Sequence, residues 1–160
     1  MSLNIIVLAK QVPDTRNVGK DAMKADGTIN RAALPAIFNP EDLNALEQAL
    51  RLKEQHPGST IGMLTMGPPR AGEIIRQGLY RGADTGWLLT DRLFAGADTL
   101  ATSYALATAI KKISAEKPVD IVIGGPPCQG FSNANRQHTT VISMNNRLVK
   151  EYVRAICELN

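Results

Sequence analysis

Cys128 is the residue in this chain best suited to form a covalent bond. It sits in Gly124-Gly125-Pro126-Pro127-Cys128-Gln129-Gly130-Phe131-Ser132, where nearby backbone N–H groups would favour the thiolate. From residue types alone two readings stay open: an exposed, reactive thiol, or a loop cysteine with no role. The other cysteine, Cys157, reads as a packing residue. The two cysteines have no paired metal-ligand spacing, and His56 and His138 are far apart, so no metal site is expected. Unpaired cysteines point to a reducing, cytoplasmic setting. Lys10 closes the first apolar run and could pair with a phosphate or simply be solvated. The common phosphate signatures are missing. There is no Walker A sequence, and Gly67-Pro68-Pro69-Arg70-Ala71-Gly72 has two prolines where the dinucleotide fingerprint needs a tight glycine turn.

The elements that must position these groups alternate in type. Apolar runs at Asn4–Ala9, Ser59–Met66, Thr85–Thr90 and Val119–Ile123 read as buried parallel strands. Between them lie helical stretches. Asn39-Pro40-Glu41-Asp42 is a strong helix start: Asn can cap, Pro suits the first helical position, and two acids complement the dipole. Leu43, Leu46, Ala49, Leu50 and Leu52 form its apolar stripe, and His56-Pro57-Gly58 stops it. A second helix is expected over Arg70–Arg81 with Ile74, Ile75 and Leu79 inward. A third, capped by Asp98, runs through Thr99–Ile113, with small residues that suit close packing on a sheet. A fourth is expected over Asn146–Leu159. Lys10 to Ile37 reads as a long excursion with little regular structure, with Thr28–Asn30 as its one short extended piece.

This order predicts a single α/β domain over residues 1–160, a doubly wound parallel sheet with about four main strands in the order 3-2-1-4. The fourth strand, Val119–Ile123, is expected at an edge or paired across a homodimer, because an open edge tends to recruit a partner. Ligands in such sheets bind at the carboxyl ends of the strands. Here those ends are Ala9-Lys10, Met66-Gly67, Thr90-Asp91 and Gly124-Gly125, with the helix start at Asn39 as a further anion-attracting point. That argues for a nucleotide-like or phosphate ligand, against the plainer reading of good caps and turns. Basic residues are scattered and the net charge is only +3, so charge gives no argument for nucleic acid. No apolar stretch is long enough to cross a bilayer.

Residues 4 to about 122 resemble the β subunit of electron transfer flavoprotein. The pieces that carry this are Ile5–Asp14, Phe38–Asp42 with Ala45–Lys53, Met66-Gly67-Pro68, Arg81–Asp84, Asp98-Thr99 and Asp120–Ile123. The resemblance implies a Rossmann-like, adenine nucleotide α-hydrolase-like sheet. It implies AMP, or a second FAD, as the bound cofactor, and an α-subunit partner that shares FAD. The nucleotide contacts it implies fall on Leu8 and Ala9, on Asn39, Pro40, Glu41 and Asp42, and on Met66, with Gly124 and Gly125 at the start of the phosphate loop. The chain then departs from the family, because Gly124-Gly125-Pro126-Pro127-Cys128 replaces the polar loop that wraps the phosphates.

Asp120 to Asn160 is similar instead to the catalytic-loop segment of DNA cytosine-5 methyltransferases, through Gly124–Ser132 and Asn145–Tyr152. The resemblance puts Cys128 at the position of the nucleophile that attacks C6 of a flipped cytosine, with S-adenosylmethionine as methyl donor. No glycine-rich cofactor motif, no Glu-Asn-Val segment and no target-recognition domain accompany it, so S-adenosylmethionine and DNA are not expected as ligands. The two resemblances divide the chain into parts 1–122 and 123–160, joined inside the fourth strand. The expected function is that of a chimeric α/β domain without intact catalysis, keeping at most weak AMP or FAD binding. The alternatives are a truncated flavoprotein β-like nucleotide-binding module and a methyltransferase fragment.

Overall fold

The computed structural model of the chain describes residues 1–14 and 35–125. The readings placed on Thr28–Asn30, Cys128, His138, Cys157 and the helix over Asn146–Leu159 lie outside the described residues. In chain order the elements are β1 (Asn4–Leu8), β2 (Gln11–Pro13), β3 (Ala36–Phe38), α1 (Pro40–Gln55), β4 (Thr60–Met66), α2 (Gly72–Tyr80), β5 (Thr85–Leu89), α3 (Thr99–Glu116) and β6 (Ile121–Ile123).

Four of these strands make one parallel sheet in the order β5-β4-β1-β6. Numbered among themselves, they read 3-2-1-4, and the architecture is α/β as the alternation of elements demands. The difference lies in the stretch 10–37. β2 and β3 pair there as an antiparallel ribbon, with Gln11 opposite Phe38 and Pro13 opposite Ala36. Three-residue strands are too short to show a period, and a proline normally demotes a strand. Pro13 is tolerated because the ribbon is all edge.

Alternation along β1 sends Ile5, Val7 and Ala9 to one face of the sheet and Ile6 and Leu8 to the other. The first face meets α1 and α2 through Leu46, Ala49, Met63 and Ile74, all essentially buried. The second meets α3 through Leu106, Ala109, Ile110 and Ile113. Helices on both faces are what parallel crossovers require.

Two expectations need correcting. Leu79 does not point inward and is 40% exposed. The face of α2 on the sheet runs through Ile74 and Gly78, one turn apart, and an added Cβ at Gly78 would lie 2.9 Å from Met63 Cγ. Leu79 falls one position round the helix. The small-residue helix α3 also packs less than its composition suggests. Asp98 caps it as expected, its Oδ1 accepting the Ala101 N–H at 2.8 Å, and it runs on to Glu116. Yet Leu100 and Tyr104 in its first half are 71% and 76% exposed. Small residues permit a close approach but supply little area to drive it.

The amino ends of the strands are stitched by polar bonds. Asp84 accepts from Lys53 Nζ at 2.7 and 2.8 Å and from the Ile61 N–H at 2.7 Å. Burial acts to raise its pKa, but the Lys53 and Ile61 bonds outweigh it and hold the carboxyl below its ordinary value. Asp120 Oδ2 accepts the Asn4 N–H at 2.7 Å and fastens β6 to β1. β6 is shorter than Val119–Ile123 and, among the described residues, lies at an edge of the sheet.

One group in the core lacks a partner. Thr65 Oγ1 is buried with no hydrogen-bond partner among the described residues. Thr65→Val keeps the shape and removes the orphan, so chemical denaturation should show a gain of about 1 kcal/mol.

Candidate functional site

The carboxyl ends of β1, β4, β5 and β6 open into one cleft of about 950 Å³. On the side where the strand order reverses, between β1 and β6, it is lined by Ala9, Lys10, Asp42, Gly124 and Gly125. On the side of β4, β5 and α3 the lining mixes Leu64, Met66, Pro68, Pro69, Phe94 and Leu106 with the polar Thr90, Asp91, Arg92 and Thr102. A cleft with mostly apolar walls and a few converging polar groups, at a topological switch point, is the usual form of a small-molecule site in this architecture.

Asp42 anchors the side between β1 and β6. It is 4% exposed, in the first turn of α1. Its Oδ2 accepts the Lys10 N–H at 2.7 Å, and the Asn39 side chain also hydrogen-bonds it. Asn39 N–H donates to the Lys10 carbonyl at 3.1 Å, so the end of β1 and the start of α1 are tied twice. Burial pushes the Asp42 carboxyl above its ordinary value and Glu41 adds to this, while the bonds from Lys10 and Asn39 act against it. Gly125 closes the other wall. A Cβ there would come within 2.9 Å of Asp42 Oδ1 and 3.5 Å of Glu41 Cβ. Only glycine lets the strand end approach α1 this closely.

The sequence-derived positions divide. Leu8, Ala9, Asp42, Met66, Gly124 and Gly125 all line the cleft. Asn39, Pro40 and Glu41 do not, although they sit at the same helix start. Asn39 holds the capping position but makes no side-chain cap bond; its carbonyl accepts from Asp42 and Leu43 at 3.0 and 3.2 Å. The reason is local, since its side chain is engaged by the Asp42 carboxylate. Cys128 lies outside the described residues.

Sequence reasoning missed the loop between β5 and α3. Arg92, Phe94 and Ala97, with Thr102 and Leu106 from α3, form the cleft wall away from α1. The strand-end rule pointed to Thr90-Asp91, and both line the cleft. The signal that the wall continues was the run Asp91–Ala97, too long for a bare turn. Asp91 organises it, its Oδ1 accepting the Leu93 N–H at 2.9 Å. Among the described residues no three His, Cys, Asp or Glu side chains could hold a metal ion, and no helix is long and apolar enough to cross a membrane.

Comparison with known proteins gives two family matches. Residues 26–130 match the electron transfer flavoprotein domain, and residues 104–160 match the C-5 cytosine-specific DNA methylase family. The chain is 50% identical over 123 residues to the caffeyl-CoA reductase-Etf complex subunit CarD of Acetobacterium woodii, covering 77% of this chain and 45% of that protein. It is 50% identical over 126 residues to the electron transfer flavoprotein subunit beta of Megasphaera elsdenii, covering 77% and 46%. It is 52% identical over 111 residues to protein FixA of Azorhizobium caulinodans, covering 69% and 38%. The chain thus spans under half the length of these relatives.

Proposed function

Because the chain belongs to the electron transfer flavoprotein family, we propose that the cleft is an adenine-nucleotide site, taking AMP or the adenosine part of FAD. The observation that carries this is the convergence in one cleft of Leu8, Ala9, Asp42, Met66, Gly124 and Gly125. Those are six of the nine positions that the β-subunit resemblance assigns to the nucleotide. In this reading the chain is a cytoplasmic carrier module related to the β subunit, not a catalyst. Its protein partner is an α-like subunit that shares FAD.

The chimera is the finer part of the reading. The two family matches overlap at residues 104–130, a span that holds most of α3, all of β6 and the loop to Cys128. A junction inside β6 keeps the strand and its burial while exchanging the loop that follows. Cys128 then stands at the nucleophile position of the methylase motif, without the glycine-rich cofactor motif or the Glu-Asn-Val segment that the resemblance would call for. Nucleotide affinity falls below that of an intact subunit, and β6, an edge strand among the described residues, is where a second copy would pair.

Calorimetric titration tests the site. AMP should bind with a micromolar to submillimolar Kd, and FAD should compete with it. Absence of heat and of competition for both ligands at millimolar concentration would contradict the nucleotide reading. A labelled-methyl transfer assay on DNA should stay at background. A covalent adduct between Cys128 and a fluorocytosine duplex would overturn the chimera reading in favour of a methyltransferase.

A further inference from the structure

We infer that the outer face of α3 is a self-association surface, on which a second copy of this chain packs its own α3 antiparallel across a two-fold axis. The inference goes beyond the nucleotide reading and does not depend on it. After Met1, the most exposed large apolar side chains among the described residues are Leu93, Tyr80, Tyr104 and Leu100. Two of these, Leu100 and Tyr104, lie one turn apart on α3. Ala107, Thr108 and Lys111 continue the same stripe at helical spacing. The stripe looks away from the sheet, which α3 meets through Leu106, Ala109, Ile110 and Ile113. Paired apolar exposure of this kind points to a contact surface, where a single exposed side chain would need no explanation.

Charge decides the occupant. Asp98 caps the start of α3, and Lys111, with Lys112 beside it, lies in its second half. Asp98 uses Oδ1 on the Ala101 N–H, and neither Asp98 nor Lys111 has an ion-pair partner among the described residues. The two are about 20 Å apart along the helix. An antiparallel copy brings each acid to the other copy's base, whereas a parallel one sets acid beside acid. A two-fold axis at Tyr104 achieves this. It places the two Tyr104 rings against each other and Leu100 against Ala107 and Thr108 of the second copy. Asp98 then comes within reach of Lys111 of the second copy, at both ends of the contact. The small Ala101 and Ala107 let the helices approach at a shallow crossing of about 20°. One helix pair covers less than the roughly 1,000 Å² of a lasting interface, so the dimer is weak and reversible. This contact is separate from pairing at the β6 edge.

Sedimentation velocity of the full chain, across the micromolar to millimolar range, tests the surface. The unaltered chain should pass reversibly from monomer to dimer as its concentration rises. Leu100→Glu and Tyr104→Glu each replace a side chain that is exposed in the single copy by a good helix former, so circular dichroism should not change. Each should raise the dimer Kd about 10-fold or more, because carboxylates are then brought into the contact. Lys111→Glu sets acid against Asp98 of the second copy. It should raise Kd about 3-fold to 10-fold in low salt, with the difference fading near 1 M salt. A chain that stays monomeric at every concentration overturns the inference, even if its own residues prove to cover Leu100 and Tyr104. So does a dimer that all three variants leave intact, which would place the contact elsewhere, as at the β6 edge. A dimer lost with Leu100→Glu and Tyr104→Glu but indifferent to Lys111→Glu overturns the antiparallel arrangement.

Discussion

Gly62→Ala should cost the fold about 3 kcal/mol, at the upper end of what overpacking a core residue does. Gly62 lies in the middle of β4, and the Trp87 ring from β5 covers it on the face that meets α3. An added Cβ would stand 2.2 Å from Trp87 Cζ3 and 2.7 Å from Cη2, well inside van der Waals contact. Neither partner can retreat easily, because Gly62 is buried and Trp87 packs with Leu64 and Leu89. Urea denaturation followed by circular dichroism reads the loss. In the double variant Gly62→Ala/Trp87→Phe both offending ring atoms are gone, so the two changes together should cost clearly less than the sum of each alone. Additive costs would contradict the packing described.

Asp42→Ala should cost about 2 kcal/mol, because the Lys10 N–H loses its acceptor and the Asn39 side chain loses its partner in a closed site. Asp42→Asn should behave in the opposite sense at neutral pH. Burial raises the folded-state pKa of Asp42 above its ordinary value of 3.8. The folded chain therefore holds this proton more firmly than the unfolded chain does. The stability it contributes is fully present below the unfolded value and is lost as pH rises through the folded one. Asparagine keeps the shape without the buried charge. It should be at least as stable as aspartate at pH 7, with its advantage fading as the pH falls to about 3.8. Denaturation midpoints for both variants at several pH values check the sign.

The pattern of these effects follows how far the residues announce their places. Four apolar runs separated by helical stretches were enough to set the sheet and its order, because buried parallel strands read as unbroken Ile, Val and Leu. Caps were legible where one side chain acts alone, as Asp98 does on Ala101. They were not where two side chains compete, and Asn39 engages Asp42 instead of its own helix. The ribbon of β2 and β3 was illegible because its pairing is non-local and each strand is three residues long. Leu79 misled because the helix periodicity could not tell that Gly78, with no side chain, marks the closest approach to Met63.

The site was legible in the same uneven way. The strand-end rule found Ala9, Lys10, Met66, Gly124 and Gly125 from topology alone. The β-subunit resemblance brought in Asn39, Pro40 and Glu41 together with Asp42, yet a helix sends neighbouring residues in different directions, and of the four Asp42 is the one that lines the cleft. The wall from Arg92 to Leu106 was signalled only by the length of the run Asp91–Ala97, because which of its residues line the cleft depends on how the loop folds back over the sheet.

The central claim is that the carboxyl ends of β1, β4, β5 and β6 form an adenine-nucleotide site. Amide chemical shifts of the ¹⁵N-labelled chain, followed through an AMP titration, test it most directly. The account predicts saturable shifts at Ala9, Asp42, Met66, Gly67 and Gly124, with Lys53, Asp84 and Lys117 at the opposite end of the sheet unmoved. Saturable shifts centred on that opposite end, or none at any AMP concentration up to several millimolar, would contradict it.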